Sequence, residues 1–133
     1  MIMKKIFILV LVCLMANMPF AVLAQNKKEI LPGAYQTAQY LPLLKNKRVG
    51  LFTNHTATVG KKHLIDALLA TGIQIQKVFT PEHGLRGTAD AGEKTKDGID
   101  EATGVKIVSL YGKKYGPSEA DLADVDVLLF DRP

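Results

Sequence analysis

Cysteine is all but missing from this chain: its single copy, Cys13, lies in an apolar stretch near the N-terminus. Residues 25–133 therefore offer no disulfide, no thiolate metal site and no cysteine nucleophile. Charge of one sign is also scarce. Setting aside Lys4 and Lys5 leaves 15 basic against 13 acidic residues, a balance too even and too dispersed for a nucleic-acid surface. The three histidines, His55, His63 and His83, follow no HxxxH-type spacing, which argues against a metal centre. No dinucleotide fingerprint follows the first predicted strand, where Thr53-Asn54-His55-Thr56 contains no glycine, and a phosphate-binding lysine loop is absent too. No cofactor and no metal are expected. There is no internal repeat and no low-complexity segment.

A long hydrophobic run is missing as well. The longest apolar stretch, Ile6 to Met15, is short for a membrane span and lacks a stop-transfer flank. With Lys4 and Lys5 before it and Val22-Leu23-Ala24 after it, it reads as a signal peptide over residues 1–24, cleaved after Ala24. The expected location is periplasmic or secreted, with no stable membrane anchor after cleavage; a retained anchor is the alternative. Leu9-Val10-Leu11-Val12 lacks the small residue expected before a lipidated cysteine, so Cys13 does not read as a lipoprotein site.

What the chain does have is an alternation of apolar segments. Residues 25–45 read as a polar tail, a turn at Pro32-Gly33 and a helix over 34–44 that Pro42 distorts or ends. A domain then occupies residues 46–133. Arg48 to Thr53 reads as a strand, and the stripe Leu64, Ile65, Leu68, Leu69 predicts a helix from Gly60 to Thr71 with His63 solvated near its start. Ile73 to Phe79 is a second buried strand, Asp90 to Gly104 a polar loop, and Val105 to Leu110 a third strand. Ser118 can cap a short helix with Asp121 at the fourth position, and Asp124 to Asp131 reads as a buried parallel strand. Strand-helix-strand units joined by right-handed crossovers predict an α/β fold with a mainly parallel sheet.

The densest chemistry is the run Thr80-Pro81-Glu82-His83-Gly84-Leu85-Arg86-Gly87, directly after the second strand. Pro81 cannot donate to a ladder, so the strand should stop there and present Glu82, His83 and Arg86 at the sheet's C-terminal edge, where ligands of parallel α/β proteins bind. An enclosed Glu82 carboxyl suits proton donation to a leaving oxygen; it could equally cap the turn or pair with Arg86. Arg86 could grip a substrate carboxylate with its planar fork, or form a structural salt bridge. Asn54 could bond a sugar hydroxyl or shape the turn after the first strand. Asp90, Glu93 and Lys94 could close over a ligand or simply form a solvated charged loop, and Tyr111 could stack on an apolar sugar face. His83 diverges from Glu82 in extended backbone, although His55 can approach from the neighbouring loop.

With these residues in view, the chain resembles the N-terminal part of the NamZ-type exo-β-N-acetylmuramidases, glycoside hydrolases of peptidoglycan long classed as a family of unknown function. The likeness runs through Tyr40-Leu-Pro-Leu-Leu-Lys-Asn-Lys-Arg-Val-Gly50-Leu-Phe-Thr-Asn54, then Phe79-Thr-Pro-Glu-His-Gly-Leu-Arg-Gly87. It continues through Ala89-Asp-Ala-Gly-Glu-Lys94, Ser109-Leu-Tyr-Gly-Lys113 and Asp124-Val-Asp-Val-Leu-Leu-Phe-Asp131. The resemblance implies a Rossmann-like domain facing a second α/β domain across a cleft. It also implies release of terminal N-acetylmuramic acid from peptidoglycan fragments, with Glu82 as catalytic acid and Asn54, His83 and Arg86 around the sugar. Muramic acid carries a lactyl carboxylate, a partner for Arg86 or a neighbouring cation. A second carboxylate would come from Asp90, Glu93 or Asp131. The family continues past Asp131 with a block like Ile-Gln-Asp-Val-Gly, whereas this chain reads Arg132-Pro133, so the resemblance also implies a truncated chain without the C-terminal domain. The alternative function is a non-catalytic remnant or a muramyl-sugar-binding module.

Overall fold

A computed structural model describes residues 30–87 and 96–131. The predicted leader, the 25–29 tail and the candidates Asp90, Glu93 and Lys94 lie outside the described residues. In chain order the elements are a 3-10 turn Gly33–Tyr35, α1 Thr37–Leu44, β1 Arg48–Phe52, β2 Thr58–Val59, β3 Lys62–His63, α2 Leu64–Ala70, β4 Gln74–Thr80, β5 Gly98–Ile99, β6 Lys106–Ser109, α3 Glu119–Leu122 and β7 Val127–Phe130. All belong to the unit Leu31–Pro133, so the N-terminal helix shares a unit with the sheet.

The main sheet has the order β5-β6-β4-β1-β7, and β2 pairs with β3 in a separate two-stranded ribbon. The pairs β1–β4, β1–β7 and β4–β6 are parallel; β5 runs antiparallel to β6. The chain is thus α/β with a mainly parallel sheet, as its alternating segments predict. Side chains alternate across the sheet, and each face buries its own cluster. On one face Val49, Leu51 and Val78 pack with Leu64, Ile65 and Leu68 from α2 and Leu44 from α1. On the other, Phe79, Val108 and Leu110 pack with Phe52. Gly50 permits the close fit there, because a Cβ would come within 3.1 Å of both the Phe79 ring and Val125.

Four local expectations change. Pro42 does not end α1, which continues to Leu44, although the helix starts after a separate 3-10 turn rather than running from Ala34. The start of the second predicted helix, Gly60 to His63, instead forms the turn and the second strand of the β2–β3 ribbon, with Gly60 at φ 62. The polar loop between β4 and β6 contains β5. The last strand is not buried: β7 alternates between half-buried and exposed, and Leu128 and Phe130 are 41% and 61% exposed on the sheet's edge. Its preceding aspartates act as fastenings. Asp126 accepts the Arg48 backbone N–H at 2.8 Å and pairs with its guanidinium at 2.7 Å, and Asp124 pairs with the buried Lys77.

Candidate functional site

β4 delivers its last residue, the fully buried Thr80, to the C-terminal edge of the sheet, and Pro81 begins the turn. The chain then reverses tightly. His83 has φ 69 and Gly84 has φ 69, and the Gly84 N–H donates to the Pro81 carbonyl at 3.3 Å. A non-glycine residue in the left-handed region costs on the order of 1 kcal/mol. His83 is therefore not in the extended conformation its neighbours suggested, and the turn must be held from elsewhere.

Two fastenings hold it. Leu85 is 3% exposed and packs into the α2-side core. Arg86 binds two carboxylates from two other elements. Its Nε and Nη2 donate to Asp100 at 3.0 and 2.6 Å, and its Nη1 and Nη2 donate to Asp66 of α2 at 2.9 and 3.0 Å. Both carboxyls are held below the usual carboxylate range, chiefly by the Arg86 hydrogen bonds, and the guanidinium is correspondingly harder to deprotonate. Of the two roles the sequence leaves open for Arg86, these contacts are those of the structural salt bridge. Asp66 and Asp100 were not singled out in sequence. The signal available for Asp100 was its turn pattern, Asp100 followed by Thr103-Gly104, whose N–H groups donate to the Asp100 carbonyl at 3.2 and 2.7 Å.

The loop after β1 lies against this turn. Asn54 Oδ1 accepts the Thr56 N–H at 3.0 Å and the Thr56 hydroxyl at 2.7 Å, an Asx turn that also identifies the oxygen end of the amide. Asn54 thus shapes its own loop. Its carbonyl is met by His63 Nε2 at 2.8 Å, while His63 Nδ1 accepts the Ile65 N–H at 3.3 Å as the N-cap of α2. Because Nδ1 must accept, Nε2 carries the proton. His63 is half-buried and bonded at both ring nitrogens, not solvated as expected. His55 approaches as anticipated: its ring stands edge-on to His83 with centroids 5.8 Å apart. Gly87 makes room for it, since a Cβ there would lie 2.9 Å from the His55 ring. Among the described residues no group of three or more His, Cys, Asp or Glu side chains is arranged to hold a metal ion.

Glu82 and Tyr111 follow the C-terminal ends of β4 and β6, which are neighbours in the sheet. Thr80 pairs in register with Ser109, and the Leu110 N–H continues the ladder to the Thr80 carbonyl at 2.8 Å. The negative charge of the Glu82 carboxyl raises the Tyr111 phenol above the ordinary tyrosine value.

Two further polar groups lie beneath. The Thr53 and Thr80 hydroxyls are buried and have no hydrogen-bond partner among the described residues. Since Phe52 pairs with Phe79, these threonines occupy the next rung of β1 and β4, with Ser109 continuing it on β6. Asp131 follows β7, where its charge is felt by Tyr40 on α1.

Comparisons with known proteins agree with this architecture. The family model for the N-terminal region of exo-beta-N-acetylmuramidase NamZ matches residues 49–132. The chain is 44% identical over 94 residues to the peptidoglycan beta-N-acetylmuramidase NamZ of Bacillus subtilis (strain 168), covering 69% of this chain and 23% of that protein. Two crystal structures of DUF1343 family proteins from Bacteroides fragilis superpose with TM-scores of 0.60 and 0.61, at 45% and 36% identity. They cover 74% and 71% of this chain, and 24% and 23% of their own. The chain thus spans about a quarter of the length of these relatives. Its parallel sheet, its Pro81-to-Gly87 turn and a match over residues 49–132 place it together in one family: the chain belongs to the NamZ exo-β-N-acetylmuramidases and carries their N-terminal region.

Proposed function

We propose that this chain supplies the acid-bearing part of an exo-acting β-N-acetylmuramidase that removes terminal N-acetylmuramic acid from peptidoglycan fragments during cell-wall turnover. The observation that carries this is the family match, which includes the whole Thr80–Gly87 turn and the Tyr111 loop. Glu82 donates a proton to the glycosidic oxygen as the bond breaks, so the leaving sugar departs as a neutral alcohol. The turn suits that task because its ends are anchored. Leu85 and Arg86 fix the backbone three and four residues past the acid, and a general acid is effective only where its proton is already in line with the leaving oxygen. The oxocarbenium-like charge that develops on the sugar calls for a second carboxylate, and Asp90 and Glu93 of the following segment are the acids nearest in sequence. His83, Asn54 and Lys94 complete the proposed sugar site. The N-terminal 24 residues direct the protein out of the cytoplasm, to the compartment where its polymer lies.

Release of 4-nitrophenol from 4-nitrophenyl N-acetyl-β-muramide tests the assignment. The wild-type chain should turn the substrate over, and Glu82→Gln should lose about a hundredfold or more in kcat. Equal turnover by the two proteins would remove Glu82 from the mechanism. A wild-type chain that melts cooperatively and binds N-acetylmuramic acid by calorimetry, yet releases no nitrophenol, would support a sugar-binding module instead.

A further inference from the structure

His83 takes a backbone conformation that its residue type disfavours, so a contact outside the turn must select it. Positive φ falls on His83 and not on Glu82, and the Gly84 N–H closes on the Pro81 carbonyl at 3.3 Å. That is the pattern of a type II turn, whose third position favours glycine or asparagine. Turning over the Glu82–His83 peptide gives a type I turn, which closes the same hydrogen bond and returns His83 to negative φ. The His83 Cβ leaves the backbone in a different direction in each form, so the choice of turn decides where the imidazole lies. We propose that His55 is the positioning residue that makes this choice: its ring holds the His83 imidazole in the left-handed form and so presents it to the sugar. That last use rests on the muramidase reading above.

The contact joins rings carried by two separately fastened loops. The His55 and His83 rings stand edge to face, with centroids 5.8 Å apart and planes 79° apart, an arrangement in which aromatic rings attract. The His55 backbone is held on both sides. Before it, Asn54 Oδ1 accepts the Thr56 N–H and hydroxyl at 3.0 and 2.7 Å, and the Asn54 carbonyl meets His63 Nε2 at 2.8 Å. After it, the carbonyl of the buried Ala57 accepts the Leu64 N–H at 2.9 Å, at the start of α2. His55 also rests on Gly87, where a Cβ would lie 2.9 Å from its ring. One imidazole therefore touches the turn at two places, next to the acid and beyond Arg86. Leu85 and Arg86 fix the turn past Gly84, whereas His55 acts on the residue that follows Glu82.

His55 is exposed, so replacing it should leave the fold intact, and two measurements on the full chain test its role. The first reads the sign of the His83 φ from its three-bond NMR couplings and needs no turnover. Wild type and His55→Phe, which keeps a ring, should show positive φ, and His55→Ala should move His83 toward negative φ. A His83 that holds positive φ in His55→Ala would overturn the proposal. The second is kinetic. His55→Ala should raise KM for the nitrophenyl muramide roughly tenfold while kcat changes by less than about threefold, because a sugar-binding ring is displaced and Glu82 stays on its anchored turn. His55→Phe should recover most of that loss. A wild-type KM in His55→Ala would overturn the role. So would a phenylalanine variant as weak as the alanine one with the His83 φ unchanged, since the His55 imidazole would then bind the sugar itself. A wild-type chain that neither releases nitrophenol nor binds N-acetylmuramic acid removes the muramidase reading, and the couplings alone then decide whether His55 sets His83.

Discussion

Arg86 joins two carboxylates that come from different parts of the chain, so its loss would be felt well beyond the turn. Asp100 is only 4% exposed and relies on that guanidinium. Arg86→Ala leaves it buried and uncompensated, and should destabilise the chain by about 3 kcal/mol in urea denaturation. Arg86→Lys should recover only part of this, because a single ammonium cannot reproduce the four hydrogen bonds of the planar fork. The pH dependence has a definite sign. The folded-state pKa values of Asp66 and Asp100 are lowered, so their contribution is present above the unfolded carboxylate value and is lost as pH falls through the folded values. Wild-type stability should therefore drop below about pH 4, and the drop should be shallower in Arg86→Ala. At this scale the sequence was readable in part. Glu82 and Arg86 stood out because acid and cation share one short turn, whereas Asp100 sat among the charges of a polar loop. Nothing local distinguishes a carboxylate that folds back onto a distant arginine from one that faces water.

Among the elements, the shortest depend most on single side chains. α3 has four residues, too few to hold itself together by backbone bonds alone. Ser118 and Asp121 close a capping box at its start, with the Asp121 N–H on Ser118 Oγ at 3.3 Å and the Ser118 N–H on Asp121 Oδ2 at 2.9 Å. Lys114 pairs with the same carboxylate at 2.8 Å and holds Asp121 well below the usual range. Ser118→Ala should cost about 1 kcal/mol, measured by thermal melting, and loosen the Lys77 Nζ bond to the Asp121 carbonyl. This box was visible in advance because it is a pattern of two residues at fixed spacing. β1, β4 and β6 were visible because their apolar runs are bounded by turn formers. The β2–β3 ribbon was not: its strands have two residues each, too short to show a period, and Gly60 fits a helix start as well as a tight turn. His63 followed from that error, since only the later helix start makes it an N-cap.

For the whole molecule, the consequential feature is the outer edge of β7, which has no strand partner among the described residues. Phe130 stacks on Phe52 with ring centroids 4.3 Å apart, yet it stays 61% exposed beside the exposed Leu128. An apolar strand with one unpaired edge invites self-association. Phe130→Lys should delay the onset of light scattering on concentration or heating, with a much smaller effect on the urea midpoint, since its ring is not part of the core. The mainly parallel sheet could be anticipated from the alternation of segments; the exposure of the last strand could not. A run such as Val127-Leu-Leu-Phe130 reads as interior whichever side of a sheet it closes, because burial depends on what packs outside it.

The Thr80–Gly87 turn has a further consequence for how the chain tolerates change in length. Its near end is welded to the β4–β6 ladder, and its far end is tied to α2 and to the segment before β6 through Leu85 and Arg86. A span closed at both ends has no slack, so a single residue inserted between Glu82 and Leu85 would have to displace either the apolar plug or the arginine fork. Most surface loops lengthen freely over evolutionary time. This one should keep its length, and transplanting it to another scaffold would require carrying the two aspartates along with it.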